Sequence, residues 1–317
     1  MTRLSYDSVE ALIYDPVSAN RTATRAALYA LGFRRTETVS TLESMVEVIQ
    51  RQPPDIVLAE AQGAAEDLCQ AVQQFRQGAA GHNPFIVIMV TAWEKNESLI
   101  AKVVDSGADD LLLRPFSTAL LGMRIETHIE RRKGFVVTTD YVGPDRRRDA
   151  LRVNGDIFEP PNSLKMKAKD RLSPDVVAKK LDEDLKAARE RLNAEKLRRD
   201  SFQICVLWRL MQETRPGVPQ YLVDLKKLGS LSHSIERRLK GSEHAKALEY
   251  CAAVLAAAEG LELGTDRNAA MHLLGQAGLS LHQYVCPEQS PEDQLSVIDA
   301  TVAQIRIRTQ TATALAS

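Results

Sequence analysis

Four short apolar runs constrain what the first half of this chain can fold into. "ALIY" spans 11–14, "DIVLA" 55–59, "FIVIMV" 85–90 and "DLLL" 110–113, with a weaker and more polar run, "FRRTETV", at 33–39. The four strong runs are too short for helices and do not alternate with polar residues, so extended segments made from them need cover on both faces. Helix-length stretches lie near 18–31, 41–51, 64–77, 95–106 and 117–133, and "STLESM" sets Ser40 or Thr41 ahead of Glu43 as a helix start. Five strand–helix alternations predict an α/β domain over residues 1–134, a doubly wound five-stranded parallel sheet.

Residues 135–172 change character. Gly-Pro, Asn-Gly and Pro-Pro breakers interrupt them, and between 131 and 171 eleven Lys/Arg stand against six Asp/Glu. This predicts an extended basic linker that marks a boundary or a docking segment. Beyond it the pattern is helical. Ser173 and Pro174 open a long helix in which Leu181, Leu185, Ala188 and Leu192 follow a 4-3-4 spacing, and further helices fall near 219–239, 243–259, 265–284 and 291–312. Tyr221, Leu222, Leu225, Leu228 and Leu231 suit a buried stripe. Residues 173–317 are thus expected to form an all-α bundle of about five helices, an output or scaffold domain.

Composition narrows the function. A net charge of −1 over 317 residues argues against a nucleic-acid binder driven by overall charge, and the arginines of the linker lack interleaved aromatics. Cys69, Cys205, Cys251 and Cys286 are too widely spaced for a zinc knuckle or disulfide framework, so no metal or other cofactor is expected. No apolar run reaches the ~18–20 residues that span a bilayer, and "MTRLSYDSVEALIYD" lacks a signal-peptide core, so a cytoplasmic protein without membrane contact is expected.

Functional groups of open parallel sheets gather at the carboxyl ends of the strands. Here those ends carry Asp15, Glu60, Thr91 and Arg114. A carboxylate such as Glu60, at the end of a buried strand, is costly without a partner or a task. This order of groups, with "GADDLLLRPF" at 107–116 followed by "STALLGMRIETHIERR", with "TA" after the fourth strand and "LGF" at 31–33, resembles the CheY-like receiver domain of two-component response regulators over residues ~10–133. It is most similar to receivers that carry winged-helix outputs.

The resemblance implies a phosphorylation site with five parts. An acidic pair after the first strand would hold Mg²⁺, a hard ion that takes oxygen ligands; Asp15 is present, but its neighbour is Pro16. The phospho-acceptor aspartate is replaced by Glu60, one carbon longer, which moves the carboxylate about 1.5 Å. The hydroxyl is retained as Thr91. The lysine is replaced by Arg114, whose planar fork favours bidentate carboxylate pairing, and the aromatic switch position holds Leu111. The expectation is a degenerate receiver, with Glu60 paired to Arg114, locked in one state and acting by protein–protein contact rather than as an enzyme. The alternatives are residual phosphate acceptance, through another carboxylate such as Asp67, and a helical histidine phosphotransfer protein using His233, His244, His272 or His282.

The same resemblance implies a homodimer face held by charge pairs, to which Lys102, Asp109, Asp110, Arg124 and Arg131 correspond. In the linker, Tyr141, Arg146, Arg147, Arg148 and Arg152 are the expected docking residues for partner signalling proteins. The Arg148–Arg152 spacing is similar to that of PilZ cyclic-dinucleotide sites, but no D/NxSxxG motif follows.

Overall fold

Alternate side chains of each apolar run feed two different cores, which is why the runs become strands of a sheet covered on both faces. In the computed structural model, β1 (Glu10–Tyr14), β2 (Arg35–Val39), β3 (Ile56–Glu60), β4 (Val87–Ala92) and β5 (Asp110–Leu113) form one parallel sheet in the order β2-β1-β3-β4-β5. This is the flavodoxin-like doubly wound order. Ile13, Leu58 and Met89 point to one side, where Leu28 of α1 (Ser18–Leu31) and Leu121 and Ile125 of α5 (Thr118–Glu130) cover them. Leu12, Val57 and Ile88 point to the other, beneath α2 (Leu42–Arg51), α3 (Ala65–Arg76) and α4 (Glu97–Ser106). Side-chain oxygens of Thr41, Asn96 and Ser117 cap the starts of α2, α4 and α5.

The structure describes residues 4–146, 157–169, 172, 174–240, 244–264 and 266–316; Arg147, Arg148, Arg152 and Ser173 lie outside them. The described part of 135–172 corrects the expectation of an extended linker. β6 (Phe135–Val137) and β7 (Val142–Pro144) make an antiparallel hairpin, Phe158 bridges to Phe135, and α6 (Ser163–Ala168) lies against α5. Apolar residues that read as isolated in a basic stretch drive this. The rings of Phe85, Phe135 and Phe158 pack edge to face, and Leu164 enters the core beneath α1 and α5.

The chain divides into two compact units, Met1–Arg191 and Leu192–Ser317, so the boundary falls inside α7 (Pro174–Glu213) rather than at 172/173. In the second unit α8 (Pro219–Leu239), α9 (Ala245–Glu262) and α10 (Arg267–Val285) share one core with Ile204, Leu207 and Met211 of α7. Ile298 and Val302 of α11 (Pro291–Ala316) pack on Cys205 and Val206, another face of α7. Tyr221, Leu225, Leu228 and Leu231 are buried as expected, but Leu222 faces solvent because a 3.6-residue period cannot hold adjacent residues on one narrow stripe.

Candidate functional site

The carboxyl ends of β1, β3, β4 and β5 bring Asp15, Glu60, Thr91 and Arg114 together, as the strand-end argument requires. Asp15 and Glu60 are both buried, and the Arg114 side chain is only 7% exposed. Arg114 Nε donates to Glu60 Oε2 at 2.7 Å, and its Nη2 donates to Asp15 Oδ2 at 3.2 Å. The Thr91 hydroxyl donates to the same Glu60 oxygen at 2.8 Å, while the backbone N–H of Gln62 serves Oε1 at 3.0 Å. The guanidinium therefore bridges the two carboxylates, and each Glu60 oxygen has a donor. Such charge-assisted bonds are the strong class, and burial raises the cost of leaving any of them unmade.

The surroundings hold Arg114 in this pose. Its Nη2 also donates to Thr24 Oγ1 at 3.1 Å, and its guanidinium lies 4.9 Å from the centre of the Phe116 ring. Asp15 Oδ1 accepts from the N–H of Val17 at 2.8 Å and from Asn20 Nδ2 at 3.5 Å. Arg21 bonds the carbonyls of Asp15 and Pro16 at 2.6 and 3.1 Å. Thr24 is a member of the site that sequence reasoning missed. Its one signal is position, four residues before the buried Leu28 on the inward face of α1, where a hydroxyl needs a partner.

These residues do not fit the Mg²⁺ that the resemblance implies. The carboxylates that would ligate it are bridged by a guanidinium, Pro16 is exposed and has no side-chain oxygen, and among the described residues no group of three His, Cys, Asp or Glu is arranged to hold a metal. Leu111 is half-buried on β5 and packs against the core beneath α4. Asp67 is exposed in the first turn of α3, outside the bonded network.

The residues expected at a dimer face are largely engaged within the chain. Asp109 is buried, accepting from Arg76 Nη2 at 2.7 Å and from Arg132 Nε at 2.9 Å. Asp110 pairs with Arg124 at 3.4 Å and His128 at 3.5 Å, and Lys102 pairs with Glu66. Arg131 is exposed. Burial alone would raise the Asp109 carboxyl; the guanidiniums of Arg132 and Arg76 more than offset it and hold the carboxyl below its ordinary range. The expectation that Asp109 is available for a contact between chains is therefore corrected. The first residue of "DD" turns into the protein because two arginines and the N–H of Ile88 await it there.

Of the docking residues, Tyr141 donates to the Pro144 carbonyl at 2.8 Å, and Arg146 donates to the carbonyls of Ala108 and, at 3.3 Å, Asp109. Both fold back onto the first unit. Among the histidines, His233 pairs with Glu236 at the surface, His244 bonds Tyr284, His272 is exposed and His282 is buried against Ser201. No described helix is long and apolar enough to cross a membrane.

No protein-family model and no curated protein matches this chain. Solved structures similar to it include CheY-like receivers. The Vibrio cholerae chemotaxis protein CheY4 is 17% identical, with 38% of this chain and 98% of that one covered at a TM-score of 0.34. A response regulator from Thermotoga maritima is 20% identical, covering 38% and 96% at 0.34. A CheY-like receiver domain protein from Methanospirillum hungatei JF-1 is 15% identical, covering 39% and 97% at 0.35. The fold assignment itself stands on the strand order and parallel register of the first unit.

Proposed function

We propose that this chain is a signalling protein of the two-component type whose receiver is held in one state without phosphoryl transfer and acts by contact with other signalling proteins. One observation carries this reading: the Arg114 guanidinium spans Asp15 and Glu60 where an incoming phosphoryl group and its metal would have to enter. In-line transfer needs an acceptor oxygen free to attack and a cation free to neutralise the moving charge. Here each Glu60 oxygen accepts a hydrogen bond, and the cation is already shared between two carboxylates. Thr91, drawn onto Glu60 at 2.8 Å, makes with this carboxylate the bond that the resemblance assigns to a phosphoryl oxygen.

The test is incubation of the full chain with acetyl phosphate and Mg²⁺, followed by intact mass and peptide mapping. The expected result is an unchanged mass. A stable phosphoryl adduct on Glu60, Asp15 or Asp67 overturns the reading.

A further inference from the structure

The residues after α5 do something other than connect. We infer that residues 134–146 and 157–168 form a strap that fixes the α4–β5 loop and transmits its position to residues 174–191 of α7, with Asp109 as the residue that ties loop to strap.

Asp109 precedes β5 by one residue, at the amino edge of the sheet, and Arg114 follows the same four-residue strand at the carboxyl edge. The strand therefore carries the cation of the closed pocket at one end and the buried anion of the strap at the other. Around Asp109, Arg76 also donates to the carbonyls of Gly107 at 2.8 Å, Pro84 at 2.7 Å and Ile86 at 2.8 Å. Arg132 reaches from the end of α5 to Asp109 and to the carbonyl of Pro161 at 3.3 Å, which lies on the strap. Arg146, beyond β7, closes over the loop from outside through the carbonyls of Ala108 and Asp109. The guanidiniums of Arg76 and Arg132 both flank the Phe135 ring, at 5.2 and 5.1 Å from its centre.

The fit is close enough to make loop and strap one body. Gly107 has φ +84°, and a Cβ there would lie 2.3 Å from the Val142 carbonyl oxygen. A Cβ built on Gly143, on the strap, would lie 2.7 Å from the Cα of Gly107. Neither position admits a side chain, so the loop cannot shift without moving β7.

The far end of the strap meets α7. Arg191 stacks over Phe158 at 5.2 Å, and Phe158 packs on Phe135 and Phe85. A cleft of about 500 Å³ separates Pro160, Pro161 and Met166 from Lys180, Ala187 and Ala188 of α7. Next to Met166, Lys167 bonds Asp55, just before β3, at 2.8 Å and Glu10, the first residue of β1, at 3.0 Å. The contacts form an unbroken series from β5 through Asp109, Arg132, Phe135 and Phe158 to Arg191. A contiguous series is necessary for coupling but is not coupling itself, so the measurement must read both ends.

Hydrogen–deuterium exchange on the full chain does this, comparing wild type with D109N, with R146A and with the neighbouring D110N. R146A removes a strap contact and leaves the Asp109 ion pairs in place, so it decides the matter if D109N fails to fold. Expected is exchange faster by about tenfold or more in peptides of 134–146, 158–168 and 174–191 for D109N and R146A, with D110N like wild type. Acceleration confined to 107–110, with the strap and 174–191 unchanged, overturns the inference.

Discussion

Arg114 and Glu60 form a buried pair at 2.7 Å, and Asp15, on the other side of the guanidinium at 3.2 Å, makes the arrangement a bridge rather than a pair. One cation thus serves two carboxylates, and the three are not equivalent to substitution.

Removing the cation leaves two buried carboxylates facing each other, whereas E60Q leaves Arg114 paired with Asp15 and a side-chain oxygen still able to accept from Thr91. R114A is therefore expected to destabilise the first unit by about 3–5 kcal/mol, and E60Q by clearly less. Urea denaturation followed by the fluorescence of Trp93 in a W208F background checks this, since each unit holds one of the two tryptophans. Equal losses for the two variants would count against the bridge.

Asp109 gives the first unit an acid limb. Its folded carboxyl titrates below the ordinary value because Arg132 and Arg76 outweigh the effect of burial. The stabilisation is therefore fully present above the unfolded carboxylate value and is lost as pH falls through the folded one. D109N should lie about 3–5 kcal/mol below wild type at pH 7, and the gap should close as pH drops below about 4. A gap independent of pH would show that the aspartate's charge is not what matters.

His282 gives the second unit an acid limb of its own, at higher pH than that of Asp109. Burial lowers its pKa, and its Nδ1 shares a 2.9 Å hydrogen bond with the Ser201 hydroxyl. The unfolded chain then binds the proton first, so stability falls as pH drops below about 6.5. H282Q should flatten this slope between about pH 6.5 and 5. Denaturation read by Trp208 in a W93F background measures it, and parallel slopes would rule out His282 as the source.

Gly275 lets α10 cross α7 closely. A Cβ at this position would come within 2.4 Å of the Trp208 ring, which is tied by its N–H to the Met271 carbonyl at 3.2 Å. G275A should cost the second unit about 1–3 kcal/mol through overpacking, while G229A, where a Cβ meets nothing within 4 Å, should be neutral or stabilising. Thermal melts of the two variants separate a packing role from simple helix propensity.

Strands and helices were legible where periodicity is strong. All five strands of the sheet and the five described helices of the second half fall where apolar runs, caps and spacing put them, and the strand-end rule by itself groups Asp15, Glu60, Thr91 and Arg114. The strap was not legible. Its strands are three residues each, too short to show a period, and its breakers look the same in a linker as in tight turns. The helix-face position of Thr24 was equally hidden, because only the sheet decides which turn of α1 lies over Arg114.

By itself, then, the sequence determined the parallel sheet, its covering helices and the gathering of Asp15, Glu60, Thr91 and Arg114 at one sheet edge, because hydrophobic period and residue chemistry are local properties. Tertiary structure alone decided which of two adjacent aspartates is buried, that Arg114 bridges two carboxylates, and that a basic stretch full of breakers closes into a strap. Those outcomes depend on charges and rings from segments tens of residues apart meeting where water is excluded, and no local pattern encodes such a meeting.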